Sequence, residues 1–189
     1  MKLVTSPDDP RLAELSRLLE SVFADPNTVL GLDRLQAFVR ADPSAARRRF
    51  SVLVAVDAAR DTVIGGSVFS YVPKSNCGFS EYIVADSTRR GTGLGRRLFE
   101  RRKALLDEQA RAYGHPACGG LFIEADNPDR TPADLVDAER ETALDPRERL
   151  RLFDHLGFRK VDVPYVQPPL GNGKQPIAYL DLLFASWRQ

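Results

Sequence analysis

Hydrophobic residues change their spacing along this chain, and each change marks an element. Leu12, Leu15, Leu18, Leu19, Val22 and Phe23 recur at three and four residues, the repeat of one helix face. Asp9-Pro10 opens that helix and Pro26 ends it. Leu32, Leu35, Phe38 and Val39 predict a second amphipathic helix that stops near Asp42-Pro43. Strands are then predicted over Ser51 to Val56, Val63 to Tyr71 and Phe79 to Ala85. The turn Ala58-Ala59-Arg60-Asp61 and a loop from Pro73 to Gly78 separate them. From Leu94 to about Tyr113 the pattern returns to a helix, with Leu94, Leu98, Leu105 and Gln109 along one side, and Gly114-His115-Pro116 breaks it. The strand Leu121 to Ala125 follows. Asp126 to Asp145 is polar, proline-punctuated and long for a connection inside one domain, so an added helix is expected over Pro132 to Thr142. A helix capped by Gly157, a strand from Phe158 to Val163, a loop from Pro164 to Gly173 and a strand near Ile177 to Phe184 complete the chain.

The densest chemistry lies where the third strand meets the long helix. After Glu81-Tyr82-Ile83-Val84-Ala85-Asp86 comes a loop with Gly91, Gly93 and Gly95 at alternate positions, flanked by Arg89, Arg90 and Arg96. Glycines let backbone N–H groups approach an anion, and the first helical turn adds unpaired donors and the positive dipole end. Arginines supply counter-charge for phosphate oxygens. A Walker A loop would need Lys followed by Ser or Thr, but Gly95 is followed by Arg96-Arg97. A dinucleotide fingerprint would need a third glycine where Arg96 stands.

The spacing Arg90-x-x-Gly93-x-Gly95 resembles the acyl-coenzyme A signature of the GNAT N-acyltransferase superfamily, Arg/Gln-x-x-Gly-x-Gly/Ala. Leu152-Phe153-Asp154-His155-Leu156-Gly157-Phe158 resembles the Phe-Tyr-x-x-x-Gly-Phe segment that closes the core of that family. The likeness spans Ser51 to Phe184 and implies one α/β domain over residues 1–189. Its expected sheet is mixed, mostly antiparallel and six- to seven-stranded, flanked by helices, with residues 126–145 as an insertion or lid. The expected reaction is attack by an amine on the thioester of acetyl-CoA without a covalent intermediate. The coenzyme would lie along Val84, Ala85 and Asp86, then Arg89, Arg90, Gly91, Thr92, Gly93, Leu94, Gly95 and Arg96, with Phe153 packing on its pantetheine arm. Val84 or Ala85 would supply the oxyanion N–H, and the parted strand would pair with pantetheine as an added strand would.

Composition narrows the class. The chain has 189 residues, 28% charged and 43% hydrophobic, with a net charge of +1, values of an ordinary globular domain. The near-zero charge argues against nucleic acid or an anionic membrane as partner. No apolar run is long enough to span a bilayer, and no basic-then-apolar leader precedes Pro7-Asp8-Asp9, so a cytoplasmic protein is expected. Two separated cysteines and two isolated histidines suggest neither a disulfide framework nor a metal site. Charge is uneven. Arg89 to Arg111 carries eight basic residues against three acidic, and Glu124 to Asp154 carries ten carboxylates against five arginines. Pairs such as Glu100 and Lys103 account for part of the basic face, and the acidic insertion suits a small cationic amine as acceptor. A protein amine is the close variant, and a homodimer is left open.

An amine with a pKa near ~10.4 must lose a proton before it attacks. Glu81 and Glu124 stand on neighbouring predicted strands beside the loop and are the candidate bases. Alternation places Glu81 and Ile83 on one face and Tyr82 and Val84 on the other. The family's usual general acid is a tyrosine at the position of Phe153, which has no proton to give. Tyr165 is the candidate substitute. An acyl-coenzyme A sensor without turnover is the rival reading, and Phe153 is its best support.

Overall fold

The structure, a computed structural model, describes residues 1–42, 47–89, 91–142 and 144–187. Runs rich in β-branched and aromatic residues pair in chain order in its first half. β1 (Lys2–Val4), β2 (Arg49–Asp57), β3 (Thr62–Val72) and β4 (Cys77–Ala85) form successive antiparallel pairs. β5 (Gly120–Asp126) then lies parallel to β4. β6 (Arg159–Lys160) and β7 (Leu180–Ser186) follow, and β7 pairs antiparallel with both β5 and β6. One seven-stranded sheet results, ordered β1-β2-β3-β4-β5-β7-β6. The mixed, mostly antiparallel sheet expected from the chain is thus present, with a single parallel pair.

Alternating side chains feed two cores. On one face α1 (Arg11–Val22) and α2 (Leu32–Arg40) pack Leu12, Leu15, Leu19 and Leu35 against Val52, Val54, Val68 and Tyr82. On the other face lies α3 (Leu94–Ala112), where Leu94, Leu98, Leu105 and Leu106 meet Leu53, Phe69, Tyr71 and Leu121. α4 (Ala133–Thr142) falls within the long polar connection, and α5 (Pro146–His155) follows it. α5 lays Leu150 and Phe153 on the α3 core. α4 contacts both α1 and α5, and Thr142 Oγ1 donates to Val22 O at 3.0 Å. Among the described residues no helix is long and apolar enough to cross a membrane.

Three differences from the sequence reading have local causes. β1 is only three residues long and shows no periodicity to find. The strand expected from Phe158 to Val163 pairs only at Arg159 and Lys160, apart from Val161 N–H donating to Leu182 O. Val163 N–H turns back to Val161 O, and Pro164 brings no donor to continue the ladder. The last strand begins at Leu180, because Ile177 is spent on an isolated bridge to Gln167.

Two irregularities open the sheet at its centre. β4 and β5 pair only from Gly78↔Leu121 to Ser80↔Ile123, although β4 continues to Ala85 and β5 to Asp126. On the opposite edge of β4, Tyr82 faces Val68 while Ser80 faces Phe69, so Glu81 is the extra residue of a β-bulge. Alternation therefore fails at this position. Glu81 turns to the α1/α2 face together with Tyr82, where Ser70 and Arg48 meet it. The expected pairing of Glu81 with Ile83 on one face is corrected by this bulge.

Tyr82 fastens the segment before α2 to the sheet. Its hydroxyl donates to Thr28 O at 2.5 Å and accepts from Leu30 N–H at 3.0 Å, in a buried setting. Tyr82→Phe leaves both backbone groups without partners and should cost about 1–3 kcal/mol. Urea unfolding of the two proteins measures it, and an unchanged midpoint would show that this strap carries no stability.

Candidate functional site

The loop between β4 and α3 takes its shape from its glycines. Gly91 and Gly93 have φ of +76° and +74°, left-handed values that a side chain resists. Gly95 has no such need. A Cβ there would meet no protein atom within 4 Å, so the absent side chain leaves room for something outside the protein. The helical ladder starts with Arg97 N–H donating to Gly93 O at 3.0 Å. The amides of Leu94, Gly95 and Arg96 thus form the donor-rich first turn. Asp86 sits at the entry to this loop, where its Oδ1 accepts from Thr88 N and Oγ1 at 2.8 and 2.7 Å. Thr92 Oγ1 donates to Arg89 O at 2.7 Å.

The flanking arginines are partly engaged. Arg89 is ion-paired with Asp57, and Arg96 Nε reaches Glu100 Oε1 at 2.8 Å on an exposed stretch. That surface pair is weak and easily redirected. Glu100 therefore pairs with Arg96, and Lys103 with Asp107 at 3.1 Å, in place of the Glu100–Lys103 pair anticipated. Arg90 lies outside the described residues.

A cavity of about 520 Å³ runs through the gap between β4 and β5, a size that suits small-molecule ligands. On the α3 face it is lined by Ala85, Gly95, Arg96, Phe99, Phe153 and Phe158, and on the α1/α2 face by Phe23, Tyr82, Glu81, Glu124, Asp126 and Gln167. Val84 lines it as well, while Asp86 and Tyr165 do not. A second hollow of about 650 Å³ lies outside the sheet, between α2 and residues Leu170 to Lys174. It shares only Phe23 with the first and reaches no strand gap, so the through-sheet cavity is the candidate site.

Two carboxylates face each other across the gap on the α1/α2 side. Glu81 Oε1 accepts from Arg48 at 2.5 Å and from Ser70 Oγ at 3.0 Å, while its buried Oε2 has no hydrogen-bond partner. Burial outweighs the attraction of Arg48 and pushes the Glu81 pKa up to about 7. Glu124 accepts from the Tyr165 hydroxyl and, at 2.9 Å, from Gln167 Nε2. Its pKa is also raised by burial, against the pull of those two donors. Tyr165 is held protonated by its own burial and its bond to Glu124. Below them Arg149 bridges Asp126 and Glu139 at 2.7 Å each, tying α5, α4 and β5 together at the rim.

Sequence reasoning named Glu81, Glu124, Tyr165 and Phe153 but missed Arg48, Gln167, Arg149 and Arg102. For Arg102 a signal existed. It falls between Leu98 and Leu105 on the apolar stripe of α3, where a charge is out of place.

No family model matches the chain, and no curated protein matches it. Solved structures do. The ribosomal-protein-S18-alanine N-acetyltransferase from Escherichia coli is 11% identical, with a TM-score of 0.60 over 100% of this chain and 94% of that one. Tetrahymena GCN5 is 14% identical, with a TM-score of 0.60 over 99% and 95%. An acetyltransferase of the GNAT family from Staphylococcus aureus Mu50 is 10% identical, with a TM-score of 0.58 over 99% and 99%. The chain has the GNAT fold.

Because Glu81 is harder to ionise folded than unfolded, its contribution is full at low pH and is lost as pH rises through about 7. Glu81→Gln should therefore be more stable than the wild type by about 3 kcal/mol at pH 8, at ~1.36 kcal/mol per pH unit, and show no such advantage near pH 4. Urea melts across that range test it, and parallel pH profiles for the two proteins would refute the raised pKa.

Proposed function

We propose that the protein transfers an acyl group, acetyl in the simplest case, from acyl-coenzyme A to a primary amine by direct attack in a ternary complex. The observation that carries this reading is the single cavity through the parted strands. Glycine-loop residues stand at its donor end and two carboxylates at its acceptor end. The coenzyme pyrophosphate would rest on the first turn of α3, where Gly95 leaves room. Pantetheine would then pair with the unladdered edge of β4 from Ala85 inward.

The amine nitrogen forms a bond to the thioester carbonyl carbon, the C–S bond breaks, and the thiolate departs. Glu81 takes the amine proton, because the residue lines the cavity, its Oε2 is unpartnered, and the group is poised near neutral pH. Glu124 attracts the cationic amine, and Tyr165 positions Glu124 from behind. The oxyanion is met by the N–H of Val84 or Ala85. The thiolate has a reference pKa near ~8.5 and is protonated by water, which fits Phe153 in the cavity wall. Glu81, Glu124 and Asp126 on one side favour a small cationic acceptor over an anionic one. Residues 126–145 act as the lid of that side through Thr142 and Leu144, which line the cavity. The sensor reading draws on the same Phe153, and tight coenzyme binding with no thiol release over a wide amine panel would favour it.

Two measurements test the assignment. Gly93→Asp places a carboxylate beside the pyrophosphate and a side chain at a left-handed φ, and should weaken coenzyme A binding about a hundredfold or more through like-charge repulsion and loop strain together. Unchanged affinity by calorimetry would take the clamp away from this loop. Wild-type turnover should rise with pH through about 7 and level off above it, as a base of that pKa ionises. Glu81→Gln should be slow and lack that limb, and a variant with the wild-type profile would clear Glu81 of the role.

A further inference from the structure

Arg102 is a buried charge that the acyl-transfer reading leaves unused. Its side chain is 2% exposed and lines the through-sheet cavity. Among the described residues it has no ion-pair partner. Among those residues its one hydrogen bond runs from Nη1 to Ser80 Oγ at 2.5 Å, and Nε is buried without an acceptor. The guanidinium carbon lies 5.1 Å from the centre of the Phe99 ring. Burial lowers its pKa to about 10, with Glu81 exerting the opposing pull, so the group is still a cation at neutral pH. A buried charge without an ion pair is costly, and only Oε1 of Glu81 is held, by Arg48 and Ser70, with no ion pair to Arg102.

Place matters as much as charge. Ser80 and Ile123 form the last pair before β4 and β5 separate, so Arg102 stands at the closed end of the gap. A donor that enters from the glycine loop and sets its carbonyl against Val84 or Ala85 would aim its acyl chain at that end. From Val84 to Ser80 is four residues of strand, about 13 Å before the bulge shortens it, to be shared by the acyl chain and the incoming guanidinium. Ile83, Phe99, Ile123 and Phe158 give the walls of this stretch an apolar surface. The lining fits a few methylenes followed by an anion.

Resting on the acyl-transfer reading above, we propose that Arg102 selects a coenzyme A thioester of a short dicarboxylic acid, whose free carboxylate it binds at the closed end of the cavity. The transfer is unchanged. The C–N bond forms, the C–S bond breaks, and the distal carboxylate passes to the product intact. The acceptor amine thereby exchanges a positive charge for a negative one.

Calorimetric titration of the whole protein with coenzyme A and with its acetyl, butyryl, malonyl and succinyl thioesters tests the proposal without knowledge of the acceptor. A malonyl or succinyl thioester should bind about ten- to a hundredfold more tightly than the butyryl thioester, the usual worth of a charge-assisted hydrogen bond. Arg102→Met should erase that ratio, and Arg102→Lys should keep part of it. Equal affinity for neutral and carboxylated thioesters in the wild type overturns the proposal alone, and that result needs no variant to fold. A ratio that survives Arg102→Met, or an equal loss for every thioester, also overturns it by giving Arg102 another role. Failure of coenzyme A and all its thioesters to bind overturns the acyl-transfer reading with it.

Discussion

β4 and β5 stay paired for three residues and then part, and the site is arranged around the strand edges left bare. Backbone donors and acceptors inside a protein must find partners. The far edge of β4 is taken by β3 as far as Gly65↔Ala85, and that of β5 by β7 over all seven of its residues. Neither strand can turn to another neighbour. The bulge at Glu81 falls just where pairing ends, and a bulge bends its strand and increases the local twist. One inserted residue thus accompanies the divergence of the strands and turns a carboxylate into the opening. The gap is held by the rest of the sheet and needs no strained backbone of its own.

Sheet faces divide the charges. On the α3 side the cavity carries Arg96 and Arg102, and on the α1/α2 side it carries Glu81, Glu124 and Asp126, with Arg48 and Arg149 as counter-ions at the edges. Such an arrangement suits an anionic ligand on one face and a cationic one on the other, meeting at the gap. It also explains why a net charge near zero says little about the ligands of this chain. Opposite local fields cancel in the total while remaining distinct in space.

Much of this was legible in the residues because local rules governed it. Gly91 and Gly93 stand at left-handed φ, as their loop chemistry suggests, and Gly157 closes the helix before Phe158 with φ +87°. The three long strands were found within two residues of their ends, since their apolar runs lie between clear turns. What could not be read depends on long-range pairing. Period-two alternation assigned Glu81 to the wrong face because a bulge is a property of two strands, not of one. Arg48 reaches Glu81 across 33 residues, and Gln167 reaches Glu124 across 43. No spacing rule connects such positions. Arg102 is the instructive case, since its misplaced charge was visible on the helical stripe, but only burial made it meaningful.

Phe153, at the position where the sequence resemblance leads one to expect a tyrosine, is explained by its surroundings. Phe153 packs edge-on against Phe158, which in turn meets Phe99, with centroid separations of 5.7 and 6.5 Å. The donor side of the cavity is therefore walled in part by aromatic rings, into whose edge-to-face packing the Phe153 ring fits. The titratable carboxylates lie on the other side of the sheet, where Tyr165 and Gln167 hold Glu124 and Ser70 holds Glu81. A thiolate leaves well enough for water to complete its protonation, whereas an ammonium group near ~10.4 does not deprotonate readily at neutral pH. On the proposed acyl-transfer reading, the buried polar groups would serve the harder of the two proton transfers, and the easier one would fall to solvent.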